Sequence, residues 1–135
     1  MEKLKTLSSP ILRIGLAIVF LWFGINQIVD PNSYLGFLPD WLTKMSPIDP
    51  TMIVYLNGSF EILFGTALLF GLFTRIVAFV LFLHIADITF TVGLDAIGIR
   101  DFGLTVATFI IWINGIDAFT LDKFITEEKI VAPLK

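Results

Sequence analysis

Four long, mainly apolar runs follow one another along this chain, and they constrain its fold more than any other feature. They cover residues 11–29, 51–73, 76–94 and 102–119. A helix needs about 20 predominantly apolar residues to cross a bilayer, so each run is long enough to span. Irregular backbone cannot lie exposed in hydrocarbon, because its N–H and C=O groups would go unpaired. The breaks between the runs must therefore sit at the membrane surfaces. The expected fold is all-α: a single domain forming an integral membrane four-helix bundle in contact with the lipid bilayer. Composition points the same way. Hydrophobic residues make up 56% of the chain and charged residues 16%, against roughly 45–50% and about 25% in soluble domains.

The connections between the runs differ. Thr74-Arg75 alone joins the second run to the third, which implies a tight hairpin, and residues 95–101 join the third to the fourth. The first connection, residues 30–50, is long and holds Pro31, Pro39, Pro47 and Pro50 together with Tyr34, Phe37 and Trp41. Aromatic residues of this kind suit a segment lying at the level of the lipid headgroups. The first run is long for a signal peptide, and no small-residue cleavage site follows it, so it reads as a retained helix.

Orientation follows from the nine Lys and Arg residues. If the N-terminus is cytoplasmic, Lys3, Lys5, Arg13, Arg75, Lys123, Lys129 and Lys135 lie inside, and only Lys44 and Arg100 lie outside. The positive-inside rule then places both termini in the cytoplasm and the long loop outside, as in a multi-pass protein of the cell membrane. The net charge of −3 and the scattered cations do not suit a nucleic-acid partner. With no cysteine, disulfides, dithiol redox pairs and thiolate-held clusters are excluded.

Ionisable groups inside hydrocarbon are costly, and each calls for a functional explanation. Glu61 in the second run and Asp87 in the third both fall near mid-membrane, at ~1.5 Å of rise per residue. Asn57 stands one turn from Glu61. His84, Asp87, Thr91 and Asp95 form one stripe on the third run, Asp101, Thr105, Thr108 and Trp112 another on the fourth, and Gly15, Val19, Trp22 and Asn26 a third on the first. If these stripes face inward, the bundle has a polar interior that opens outward. Glu61 and Asp87 are the candidate catalytic residues, and Trp22, Asn26, Asn57, His84, Arg100 and Trp112 the candidate ligand-binding residues. Simpler roles exist beside these. The Asn and Thr residues can serve as interhelical hydrogen bonds, Trp22 and Trp112 as packing, Arg13 as a cation snorkelling to the surface, and Glu61 with Asp87 as a structural pair sharing a proton. His84 is expected to pair with Asp87, and Arg100 with Asp95 or Asp101. Gly58, Gly65 and Gly71 would let helices approach closely.

Several stretches resemble the DoxX family of small four-helix membrane proteins. Arg13-Ile14-Gly15-Leu16 with Phe20 through Gly24 is similar to the family's opening. Glu61 precedes Leu69-Phe70-Gly71-Leu72-Phe73-Thr74-Arg75, which is similar to its hairpin, and Asn114-Gly115 with Phe119-Thr120-Leu121-Asp122 is similar to its close. The chain has Asn26-Gln27 where the family often has Lys or His, and Ile116-Asp117 where a second Gly is usual. The resemblance implies a four-helix bundle in a prokaryotic cytoplasmic membrane, and it carries Arg13, Glu61, Arg75 and Arg100 as matching positions. Some relatives are subunits of thiosulfate:quinone oxidoreductase, and others are linked to quinone or catechol metabolism. The function so implied is a membrane subunit of a quinone-linked oxidoreductase system that binds a quinone-like ring in the bundle interior. A redox partner subunit or a homo-oligomer would complete it, and no metal or haem is expected in this chain alone. Two other readings stand beside it: a small transport or proton-conducting bundle with Glu61, His84 and Asp87 as a relay, and a non-catalytic assembly or scaffold protein.

Overall fold

Several helix ends in the computed structural model, which describes residues 2–93 and 95–125, have a local chemical cause. Helix α1 runs Glu2–Val29 and stops where Pro31 opens a 3-10 helix, Pro31–Phe37. A short helix α2, Asp40–Met45, follows. Helix α3, Pro50–Phe70, starts on Asp49, whose carboxylate accepts from Thr51 N at 2.8 Å, with Pro50 in the first turn where its missing N–H costs nothing. It ends at Gly71, φ 67°, with Leu72 N donating to the Ala67 carbonyl and Gly71 N to that of Leu68. That is a Schellman motif, which glycine adopts without steric penalty, and it stops the helix three residues short of the end of its apolar run.

Helix α4, Thr74–Val92, begins one residue after Phe73, a bulky side chain at φ +48°. Asp122 holds this turn from across the chain: its carboxylate accepts from Phe73 N at 2.7 Å, Thr74 N at 2.6 Å and Thr74 Oγ1 at 2.8 Å. Residue 94, the expected end of the third span, lies outside the described residues. Helix α5 differs most from expectation, running Ala96–Asn114 rather than 102–119. Asp95 caps it by accepting from Ile97 N and Gly98 N, and Gly115, φ 70°, ends it. The apolar run starts only after Arg100 and Asp101, but those two neutralise each other through a 2.7 Å ion pair and so sit inside the helix.

Helices α1, α3, α4 and α5 are all long and apolar enough to cross a membrane, and among the described residues there is no strand. α1 lies along α3 and α4 along α5, and these two close pairs meet each other more sparsely. Glycine explains the first pairing. A Cβ on Gly24 would stand 2.8 Å from the Gly58 carbonyl oxygen, and one on Gly58 would stand 2.9 Å from that of Gly24. Gly65 lets Phe20 and Leu21 approach in the same way. Gly71 is not part of this contact; it is the turn residue described above.

The dry core fills the half of the bundle nearer the termini. Leu16, Ala17 and Phe20 of α1 meet Leu68 of α3, Val77, Ala78, Leu81 and Ile85 of α4, and Ile111 of α5. The outside is apolar as well: Ile18, Leu63, Phe90 and Phe102 are all more than half exposed. Water would not tolerate so many large exposed side chains on contiguous faces, whereas lipid does. The molecule is a multi-pass membrane protein.

Arg13 does not snorkel. It is 1% exposed, and each of its five N–H donors has an acceptor. Nε donates to Asp117 Oδ2 at 2.7 Å and Nη2 to Asp117 Oδ1 at 3.3 Å; Nη1 takes the Leu68 and Leu69 carbonyls, and Nη2 that of Phe119. The two carbonyls on α3 belong to its last turn, where no i+4 amide of the helix reaches them and the helix dipole favours a cation; that of Leu68 also accepts from Gly71 N. Arg75 lies across Gly115, where any side chain would collide with it. These contacts clasp the terminal end of the bundle.

Candidate functional site

The other half of the bundle is not filled. Where the two helix pairs part, toward the 31–45 segment, they leave a cavity of about 260 Å³. Val19, Phe20 and Phe23 of α1, Ile53 and Val54 of α3, and Ile85 and Ile88 of α4 make most of its wall. Tyr34 and Phe37 of the 3-10 helix, Leu38 beyond its end, and Trp41 and Leu42 of α2 cover it from the loop side. The prolines of this long connection set short helical pieces between extended residues, so the segment folds over the bundle as a cover.

Glu61 stands at the inner end of the cavity, 4% exposed. Gln27 Nε2 donates to its Oε2 at 3.0 Å. Asn57 Nδ2 donates to its Oε1 at 3.1 Å and also to Gln27 Oε1 at 2.7 Å, which closes a three-residue ring of hydrogen bonds between α1 and α3. His84 of α4 reaches the same Oε1 from the other helix pair, with Nε2 at 3.4 Å, and its ring packs against Phe60 at a tilt of 39°, centroids 4.5 Å apart. The carboxyl group is therefore desolvated by protein but hydrogen-bonded on both oxygens, the condition under which a buried acid is tolerated.

Nearer the loop end lie Asp87, Thr91, Arg100 and Asp101. Arg100 donates through Nε to Asp101 Oδ1 at 2.7 Å, and its guanidinium lies over the Phe23 ring at 4.8 Å. Thr105 and Thr89 continue this polar side below Asp101, with hydroxyls 3.2 Å apart. Tyr34 hangs over the site from the cover. Burial first, then the negative charges of Glu61 and Asp30, push its phenol above the ordinary tyrosine range, and Arg100 pulls it back, so it stays protonated at neutral pH.

The structure brings together Glu61, Asn57 and His84, and along the same cavity Asp87 and Arg100. The expected His84–Asp87 pair does not form: His84 turns to Glu61, and Asp87 has no hydrogen-bond partner among the described residues. Arg100 chooses Asp101 over Asp95, whose carboxylate is engaged in capping α5. Trp22 and Asn26 lie off the cavity. Trp22 is 58% exposed on the outer surface, and Asn26 donates back to the Trp22 carbonyl at 2.6 Å. Trp112 also stands apart, packed on Phe79 and Phe109 in the terminal half.

The inward stripe of α1 is Arg13, Leu16, Ala17, Phe20, Gly24 and Gln27; of the expected stripe Gly15, Val19, Trp22 and Asn26, Val19 alone reaches the cavity wall. Gln27, 5% exposed, is the functional candidate that this choice of face misses. Its signal was its helical spacing from Phe20 and Gly24. Among the described residues no group of three or more His, Cys, Asp or Glu converges to hold a metal ion.

The fold and site define a class: a multi-pass α-helical membrane protein of two helix pairs, with a carboxylate-ended apolar cavity between them. Residues 9–94 match the DoxX family model, and the chain belongs to the DoxX family. The matched stretch holds Arg13, Gln27, Glu61, Arg75, His84 and Asp87, while Arg100 and Asp101 lie beyond it. No curated protein and no solved structure matches the chain.

Proposed function

We propose that the cavity binds a quinone-like ring and that the chain is a membrane subunit of a quinone-linked oxidoreductase system. The observation that carries this reading is Glu61, a carboxyl group held by Gln27, Asn57 and His84 at the end of an aromatic-walled cavity. A cavity of about 260 Å³ exceeds the roughly 150 Å³ that accept a benzene ring, and the flat side chains of Phe20, Phe23 and Trp41 suit the faces of a ring. Glu61 lies within the cavity wall and can exchange a proton with a ring oxygen, which is general acid–base work. A quinone bound there would supply the two-electron chemistry. Two electrons would leave with the oxidation of the bound quinol to the quinone and would pass to a partner subunit, since none of the side chains at the cavity is itself an electron carrier. We place the protein in the cell membrane with both termini in the cytoplasm, on the distribution of Lys and Arg.

Glu61→Gln tests the reading. In the membrane-extracted protein with its companion chains, quinol-linked turnover is expected to fall by about a hundredfold, the scale of a lost general base, with the helix content unchanged. Full turnover in Glu61→Gln would overturn it. Ion or solute flux in liposomes without any redox donor would point to the transport reading instead.

A further inference from the structure

We infer that the cavity selects ring ligands that carry O–H donors, the reduced dihydroxy form, over the oxidised dicarbonyl form of the same ring. This rests on the ring site proposed above. The reason is the balance of hydrogen-bonding groups left over once the protein's own bonds are made. Both N–H donors of Asn57 are consumed, one by Gln27 and one by Glu61. Gln27 spends one amide proton on Glu61. Arg100 directs Nε and one Nη to a single oxygen of Asp101, with its Cζ over the Phe23 ring.

The acceptors are not used up in the same way. Glu61 Oε2 receives one donor, from Gln27. Asn57 Oδ1, Asp101 Oδ2 and both oxygens of Asp87 have no partner among the described residues. A carboxylate oxygen offers two lone pairs and no proton. Against these acceptors stand the second amide proton of Gln27, the remaining Arg100 protons and the Trp41 indole N–H at the loop end, and the hydroxyls of Tyr34 and Thr91, which can turn either way. A ring bearing two hydroxyl groups would donate to this wall. A dicarbonyl ring would bring these oxygens no proton and would set oxygen against oxygen, so it would make fewer hydrogen bonds to the wall.

Three probes of nearly equal shape decide the question: a short-tailed hydroquinone, its oxidised quinone, and its dimethyl ether, which lacks the O–H donors. Binding of each would be measured under anaerobic conditions to the full chain in lipid nanodiscs. The hydroquinone is expected to bind at least about tenfold more tightly than either of the others, a difference of about 1.4 kcal/mol. Asp87→Asn replaces an oxygen with an amide donor at an exposed position of the wall, so it should leave the fold intact and narrow that preference severalfold. Quinone binding as tight as hydroquinone, or an unchanged ratio in Asp87→Asn, would overturn the inference while leaving the ring site standing. Failure of all three probes to bind would overturn both.

Discussion

Arg13 and Glu61 are both buried and ionisable, yet their surroundings assign them opposite kinds of work. Arg13 has all five donors engaged and no access to the cavity, so its work is structural. Removing one member of a buried ion pair strands the other, at a cost of about 3–5 kcal/mol. Arg13→Ala is expected to lose stability on that scale in denaturant titrations in detergent. Arg13→Lys should recover little of it, because an ammonium cannot reproduce the planar fork that meets Asp117 and three carbonyls together. Glu61 has bonds at both oxygens from two amides, so Glu61→Gln sets one amide N–H against another. That variant should lose about 1–3 kcal/mol, the cost of one unsatisfied buried donor, and should remain folded. A similar titration checks it, and a loss as large as that of Arg13→Ala would show that the hydrogen-bonded ring around Glu61 holds the bundle together.

Among the helices, the α1–α3 contact depends on having no side chain at Gly24 and Gly58. Gly58→Val places its Cβ within 3 Å of the Gln27 side chain and the Gly24 carbonyl, so the two helices must separate. Overpacking of this kind costs about 1–3 kcal/mol, and it would also displace Gln27 from Glu61. Gly103 sits in α5 with open space around it, nothing lying within 4 Å of where a Cβ would stand. Gly103→Ala is therefore expected to stabilise by about 0.5–1 kcal/mol, from helix propensity alone. Thermal unfolding of the two variants side by side checks the pair; equal effects would mean that the glycine contact does not control the packing. The α4–α5 pair shows a different means of association, with interlocking rings of Phe79, Phe82, Phe109 and Trp112 in place of glycines.

For the molecule as a whole, the core and the cavity divide the bundle by depth. The terminal half is clasped by Arg13–Asp117 and by Asp122 on the 73–74 turn, and the loop half opens between the helix pairs. With both termini cytoplasmic, the cover and the cavity beneath it face outward. Ser33 is exposed on that cover. A Cys substituted there should react with a membrane-impermeant thiol reagent in intact cells, and labelling by permeant reagents alone would reverse the orientation. Thr126, a natural site for the matching test at the other end, lies outside the described residues.

Four spans, their order and their all-α bundle were legible in the sequence, because twenty apolar residues have few other fates and hydrophobicity is a property of the chain alone. Glu61, Asn57, His84 and Asp87 were legible as candidates for the same reason: a polar residue stands out against an apolar run. Which face of α1 turns inward was not legible. Its two candidate stripes lie about one residue apart, and both mix small, apolar and polar side chains. Only the close approach of Gly24 to Gly58 settles the rotation, and with it the choice of Gln27 over Asn26 and Trp22. The start of α5 was hidden because Arg100 and Asp101, though expected to pair, interrupt the apolar run, and the cap that opens the helix is Asp95, before both of them. Arg13 read as a rim cation because its five acceptors come from residues 68, 69, 117 and 119, and only the folded chain brings those together. Local composition determined that this protein lives in a membrane as four helices; the pairing of those helices decided where its charges go and where it leaves room for a ligand.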